Sequence, residues 1–171
     1  MQFSVGDKVV HPHHGPGWIA SIEHRDLLDG PKSYYAIEIP GQGLTVHLPE
    51  ARADEVGVRL AMSQSRLPRL LSMLRARPQL LPEDYKERQA QISAQLKTGR
   101  VMQLARVVRD LSWHRKIAHL TKTDTDYLKQ GRELLAAEMA LVSGDAVSDA
   151  SKLIEATMTA AMASTPNYAE S

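Results

Sequence analysis

Val5-Gly6-Asp7-Lys8-Val9-Val10-His11-Pro12-His13-His14-Gly15-Pro16-Gly17-Trp18-Ile19 decides the fold of the first part of this chain. Apolar Phe3, Val5 and Val9, then Ile19 and Ile22, are interrupted by Gly and Pro, the residues that supply positive φ or preset φ in turns. Strand, tight turn and strand follow with almost no spare residue, which is how a small β-barrel opens. Working outward, the strand candidates are Lys8–His11, Trp18–Arg25, Lys32–Ile39 and Leu44–Leu48. The turns between them are His14-Gly15-Pro16-Gly17, Leu28-Asp29-Gly30-Pro31 and Pro40-Gly41-Gln42-Gly43. So few short strands hide their edges best by closing on themselves, so residues 1–57 read as a small barrel.

From about Ser63 the apolar period changes from two to about 3.6 and the chain reads as helical. Leu67, Leu70, Leu71 and Leu74 form a first stripe that Arg75-Ala76-Arg77-Pro78 ends, because proline disfavours helix at the residue before it. A second helix is expected from near Pro82 to a stop at Gly99, with Glu83 and Asp84 at the positive end of its dipole and Ile92 and Leu96 on its inner face. A third carries Val101, Leu104, Ala105, Val108 and Leu111 on one side and Arg100, Gln103, Arg106 and Asp110 on the other, an amphipathic pattern in which Arg106 and Asp110 have the spacing of a surface ion pair. The Thr123-Asp124-Thr125-Asp126 cluster is read as the cap of a fourth helix with Leu128, Leu134, Leu135 and Leu141, ending at Ser143-Gly144. A fifth, with Val147, Ala150, Ile154, Met158 and Ala161, runs to about Ser164, and residues 165–171 are expected to fray. The class is α+β: a barrel at 1–57, then an all-α domain of about five helices at 63–164.

The chain of 171 residues is 43% hydrophobic and has no cysteine, which excludes disulfides, thiolate metal sites, iron–sulfur clusters and thiol nucleophiles. No apolar run is long enough to span a membrane, and Met1-Gln2-Phe3-Ser4 is not the start of a signal peptide, so a cytoplasmic protein is expected. The net charge of +1 conceals an uneven distribution. Residues 1–59 hold 5 Lys/Arg and 8 Asp/Glu, residues 60–132 hold 15 and 6, and residues 133–171 hold 1 and 6. The helical middle is therefore strongly basic, as a nucleic-acid-contacting segment would be, although a solvated helix surface produces similar counts.

Several motifs together resemble the CarD family of bacterial transcription regulators, whose N-terminal domain also occurs in the transcription-repair coupling factor. In the first half these are Val5-Gly6-Asp7, Val9-Val10, Pro12, His14-Gly15, Ile22, Glu23, Leu44-Thr45-Val46 and the exit Pro49…Val56-Gly57-Val58-Arg59. In the second they are Gly99-Arg100-Val101 through Val107-Val108-Arg109-Asp110-Leu111, and then Glu133-Leu134-Leu135…Glu138-Met139-Ala140-Leu141. The resemblance covers nearly the whole chain. It implies a Tudor-like barrel that docks on the β subunit of bacterial RNA polymerase, and a helical domain that meets promoter DNA at the upstream edge of the transcription bubble. Such a protein acts without catalysis or cofactor, stabilising the open complex by binding it better than the closed one. The expected state is a monomer, associated with the nucleoid through the polymerase.

The resemblance also assigns residues. Arg25 and His47 match the positions through which the family binds polymerase, and Thr45 and Pro49 are expected in the same contact; His47 departs from the family's usual arginine. Strand addition along a barrel edge would suit that contact. Tyr85 stands where the family has a tryptophan that wedges into the minor groove beside the opened base pair. By periodicity alone it would instead continue the Ile92 and Leu96 face into the core. Lys86, Arg88, Arg100, Arg106, Arg109, Arg115, Lys116 and Lys122 are the candidates to meet phosphates, and Ala90 departs from a position that is commonly basic. Trp18 and Trp113 are read as structural.

Two other classes compete with this reading. One is a protein–protein adaptor on RNA polymerase whose helical domain recruits another protein and touches no DNA. The other is a metal-dependent hydrolase built on His11, His13 and His14. These three imidazoles lie within four positions but have no Cys, paired His-Glu motif, nucleophile elbow or phosphate-binding loop beside them, so packing and hydrogen bonding within the turn is the expected role.

Overall fold

The computed structural model describes residues 1–165; of the tail expected to fray, residues 165–171, all but Thr165 lies outside them. The chain divides into two compact units, Met1–Met62 with Leu141–Gly144, and Ser63–Ala140 with the described residues from Asp145 onward.

In the first unit, β1 (Lys8–His11), β2 (Gly15–Leu27), β3 (Gly30–Ile39), β4 (Leu44–Pro49) and β5 (Arg59–Leu60) form one antiparallel sheet in the order β4-β3-β2-β1-β5. β5 lies beyond residue 57, so the sheet reaches a little further than the expected boundary. A 3₁₀ turn (Glu50–Arg52) and α1 (Ala53–Val56) carry the chain from β4 towards β5, and Gly57 ends α1 at φ +92°. The period-two alternation turns Tyr35, Ile37 and Ile39 of β3 and Leu48 of β4 inward, where they pack with Phe3, Val9, Ile19, Ala53 and Val58. The buried Tyr35 hydroxyl accepts a hydrogen bond from the Phe3 N–H at 3.0 Å, while the two rings meet edge to face.

The opening turn is shorter than expected. Gly15-Pro16-Gly17 belongs to β2, paired with His11, Val10 and Val9, so the turn itself is Pro12-His13-His14. Gly17 is a glycine because of a neighbour and not because of a turn. A Cβ there would lie 2.0 Å from the Glu38 carbonyl oxygen of β3, a separation no side chain tolerates.

The second unit contains α2 (Leu67–Arg75), α3 (Tyr85–Lys97), α4 (Val101–Ile117), α5 (Lys122–Ser143) up to Ala140, and α6 (Val147–Ser164). This sheet followed by helices is the α+β arrangement expected. α2 buries Leu70 and Leu74 and ends at Ala76, which is extended ahead of Arg77 and Pro78. α3 begins at Tyr85, three residues after Pro82, because Asp84 is its N-cap and accepts from the Glu87 N–H at 3.0 Å. α5 begins at Lys122, ahead of the cluster read as its cap. Thr121 and Asp124 form a reciprocal capping box: Thr121 N–H donates to Asp124 Oδ2 (3.0 Å) and Asp124 N–H to Thr121 Oγ1 (3.1 Å).

α4 departs furthest from its pattern. Every residue from Val107 to His114 is buried, Arg109, Asp110 and His114 included, so this stretch is a central helix covered on all sides and not an amphipathic surface helix. Gly131 of α5 permits close packing there, since a Cβ would already touch Val107 Cγ1 and Val108 Cγ2 at 3.4 Å. No described helix is long and apolar enough to cross a membrane.

Candidate functional site

The strand register brings one group of expected residues together. Glu23 of β2 faces Tyr34 of β3, which faces Pro49 of β4; Ala36 faces His47, and Glu38 faces Thr45. Since Tyr35, Ile37 and Leu48 point inward, Glu23, Arg25, Tyr34, Thr45, His47 and Pro49 share the opposite face of the sheet. There Arg25 Nη2 donates to Glu23 Oε2 at 2.9 Å and lies 3.5 Å from His47 Nδ1, while its guanidinium carbon sits 4.8 Å from the Tyr34 ring centre. His47 Nδ1 is 3.5 Å from the same Glu23 oxygen. Arg25, Thr45 and His47 are exposed and Pro49 is half-buried. A solvent-exposed pair of this kind contributes about 0–1 kcal/mol to stability, so Arg25 is held in place more than it is consumed. β4 pairs with β3 alone among the described residues and presents a free main-chain edge beside this face. Glu23 is among the family-like motif residues but was not singled out from the sequence as a contact, and Tyr34 was not singled out at all. The i, i+2 spacing of Glu23 and Arg25 on a strand would have suggested the first; the second needed the register.

His11, His13 and His14 cluster, but their geometry serves the turn. His11 is buried, and its Nδ1 accepts from the main-chain N–H groups of His13 (3.1 Å) and His14 (3.3 Å). That lone pair is occupied, which fixes the neutral tautomer with the proton on Nε2. Burial first, then the His14 and His13 charges, lower the His11 pKa to about 4. Among the described residues no group of three His, Cys, Asp or Glu side chains is placed to hold a metal ion.

In the helical unit Tyr85 is the first residue of α3 and is 50% exposed, so it does not continue the buried Ile92 and Leu96 face. Lys86 Nζ is 6.0 Å from the centre of its ring. Arg100 stands at the N-cap position of α4 without a side-chain capping bond and is exposed, Arg106 is half-buried, and Arg115 and Lys116 are exposed in the last turn of α4, where cations suit the negative end of the dipole. Lys122 is exposed but paired with Asp126 at 2.8 Å, a hydrogen bond that raises its pKa.

Two of the expected phosphate contacts are corrected. Arg88 is 4% exposed, and four of its hydrogen bonds are internal: Nε and Nη2 donate to Asp124 Oδ1 (3.2 Å) and Oδ2 (2.7 Å), and Nη1 to the carbonyls of Pro82 (3.1 Å) and Glu83 (3.0 Å). Burial pushes the Asp124 carboxyl upward, but the hydrogen bonds from Arg88 and Thr121, with the Arg88 charge, outweigh it and hold the pKa below the ordinary carboxylate value. His114, also buried, has its pKa lowered by desolvation and by the Arg88 charge. Arg109 is likewise buried: Nε donates to Asp110 Oδ1 at 2.8 Å and Nη1 to the Met73 carbonyl at 3.4 Å, tying α4 to α2. Asp110 therefore pairs with Arg109 and not, as its spacing suggested, with Arg106. Burial raises its pKa, with Arg109 offsetting only part of the effect. Neither guanidinium is available to a phosphate.

The surface supplies other cations that the expectation did not name. Arg66, Arg69, Arg75 and Arg77, on and beside α2, are all exposed, and none is ion-paired among the described residues. Their signal was readable, since no Asp or Glu occurs between Glu55 and Glu83.

A free-edged sheet with the Arg25 cluster on one face, followed by a helical unit with a half-exposed ring at a capped helix start, makes this a protein of two parts. Residues 3–60 match the family model of the CarD-like/TRCF RID domain and residues 69–155 that of the CarD C-terminal domain, and the chain belongs to the CarD family of transcription regulators. It is similar to a protein of Bacillus subtilis (strain 168) named "Putative transcription factor YdeB", with 28% identity over 144 residues, 83% of this chain and 93% of the relative.

Proposed function

We propose that this protein is a non-enzymatic regulator that binds the β subunit of RNA polymerase through the face around Arg25 and His47, with the β4 edge, and promoter DNA at the upstream edge of the bubble through Tyr85. It thereby stabilises the open complex. The observation that carries the reading furthest is Tyr85: an aromatic ring half out of the surface, on a capped helix start, beside Lys86 and with no carboxylate partner among the described residues. Such a ring can stack on an unpaired base or wedge into a step, while nearby cations meet phosphates without reading sequence. Arg115, Lys116, Arg100, Arg106 and Lys86 remain in the phosphate-contacting set, with Lys122 weakened by its Asp126 pair. On the sheet, main-chain bonds to β4 would supply affinity and Arg25, Thr45, His47 and Pro49 the choice of partner.

The lifetime of a promoter open complex, with polymerase and the full chain, tests this. Base–aromatic stacking is worth about 1–3 kcal/mol, so Tyr85→Ala is expected to shorten the lifetime about tenfold with polymerase binding unchanged. Arg25→Glu is expected to abolish polymerase binding while leaving binding to a forked duplex intact. A protein that binds polymerase but leaves the lifetime unaffected would be an adaptor whose helical unit has another partner.

A further inference from the structure

Arg88 joins two chain segments that each lead into a helix. On one side its Nη1 holds the carbonyls of Pro82 and Glu83, the residues just ahead of the Asp84 cap of α3. On the other its Nε and Nη2 grip both oxygens of Asp124, which closes the cap of α5 with Thr121. A second tie lies one residue along, where Gln89 Nε2 donates to Thr121 Oγ1 at 3.0 Å. A side chain one turn after Tyr85 thus pins the backbone just before Tyr85 to a different helix.

A buried ion pair is weak evidence for stability, because well-packed apolar residues of the same volume often serve as well. What such residues could not supply is the pair of bonds to the Pro82 and Glu83 carbonyls. Nor could lysine, whose single ammonium lacks the planar fork that reaches both carboxylate oxygens and two carbonyls at once. First turns of helices lack intrahelical partners for their N–H groups and open more readily than helix centres, so a ring carried on an unanchored first turn would sample many directions.

We propose that Arg88 is a positioning residue for Tyr85: by clamping the Pro82 and Glu83 carbonyls to Asp124, it fixes the direction in which the Tyr85 ring leaves the surface. The inference rests on the reading of Tyr85 as the DNA-contacting ring. A ring already held in its binding direction loses less freedom on contact, so the clamp acts through binding of the open junction and leaves polymerase docking untouched.

The test uses the full-length protein with polymerase and promoter, comparing wild type, Tyr85→Ala, the pair Arg88→Gln with Asp124→Asn, and all three substitutions together. The paired change leaves no uncompensated buried charge while removing the fork. Amide hydrogen exchange of residues 85–88 is read alongside open-complex lifetime. Exchange there is expected to rise at least tenfold with α4 amides unchanged, the lifetime to fall to that of Tyr85→Ala, and the triple variant to be no shorter-lived than the pair. Unchanged exchange at 85–88, faster exchange throughout α4, or a triple variant whose loss is the sum of the separate losses would each overturn the clamp. So would a normal lifetime in the paired variant while Tyr85→Ala shortens it. If Tyr85→Ala itself has no effect, the DNA-contact reading fails, and with it the clamp's purpose; rapid exchange would then show an anchor without a ring to aim. Should the paired variant fail to fold, Arg88→Lys is read by the same criteria.

Discussion

His11 shows how one buried side chain couples a turn to pH. Its Nδ1 holds the turn only while it is unprotonated, and its folded pKa of about 4 lies below the ordinary histidine value of 6.5. Between those values the unfolded chain binds a proton that the folded chain does not. Its contribution to stability is therefore fully present above pH 6.5 and is lost as the pH falls towards 4, by on the order of 3 kcal/mol. His114 is shifted in the same direction. The Oδ1 of asparagine can take the place of Nδ1 as acceptor without titrating, so His11→Asn is expected to flatten the loss across that window. Urea denaturation of both proteins at pH 4, 5.5 and 7 measures it, and equal slopes would exclude His11 as the titrating group. Arg88 and Arg109 depart from what their surroundings in the chain suggest. Both are arginines in a basic segment, yet both are internal, because a fork can satisfy a buried carboxylate and main-chain carbonyls together.

Among the elements, α5 is started by a reciprocal cap that also receives the α3 clamp. Thr121 gives its N–H and hydroxyl to Asp124, takes the Asp124 N–H, and accepts from Gln89. Thr121→Ala removes the cap oxygen and is expected to cost about 1–2 kcal/mol of unfolding free energy in urea, with an unchanged m value. A cost near zero would mean that water replaces the hydroxyl. The start of α3 was partly legible. Acidic residues were expected at its dipole, but Pro82 drew the start three residues early, since proline fits a first turn as well as it fits the residues before a cap. The α4 pattern showed a clear apolar side, yet from Val107 to His114 its polar residues are buried too, because other helices pack around this stretch and Arg109 and Asp110 pair with each other inside. Strand boundaries were set by neighbours in the same way: Gly17 looked like a turn glycine until the Glu38 carbonyl of the adjacent strand was in place.

Over the whole molecule, the reading of function depends on charge that survives folding. The helical middle carries nine more basic than acidic residues, but folding withdraws Arg88 and Arg109 into internal pairs and leaves Arg66, Arg69, Arg75 and Arg77 exposed, with no carboxylate partner among the described residues. If those four meet phosphates, replacing them together with glutamine lowers the salt slope of binding to forked duplex DNA by about 0.9 for each contact removed. Titrating binding between 50 and 200 mM salt reads this; an unchanged slope would assign the phosphate contacts to Arg100, Arg106, Arg115 and Lys116 instead.

By itself the sequence determined the order of the four longer strands and the five longer helices, the absence of thiol chemistry, and the motifs that place the chain in its family, because periodicity, turn residues and spacing are local properties. It also marked Arg25, His47 and Tyr85 through their match to those motifs. The tertiary structure decided which of these residues stand together and which are reachable: that Arg25, Glu23, Tyr34 and His47 meet on one sheet face, and that Tyr85 is exposed while Arg88 beside it is not. Register, burial and pairing arise from contacts between residues far apart in the chain, and no local pattern encodes them.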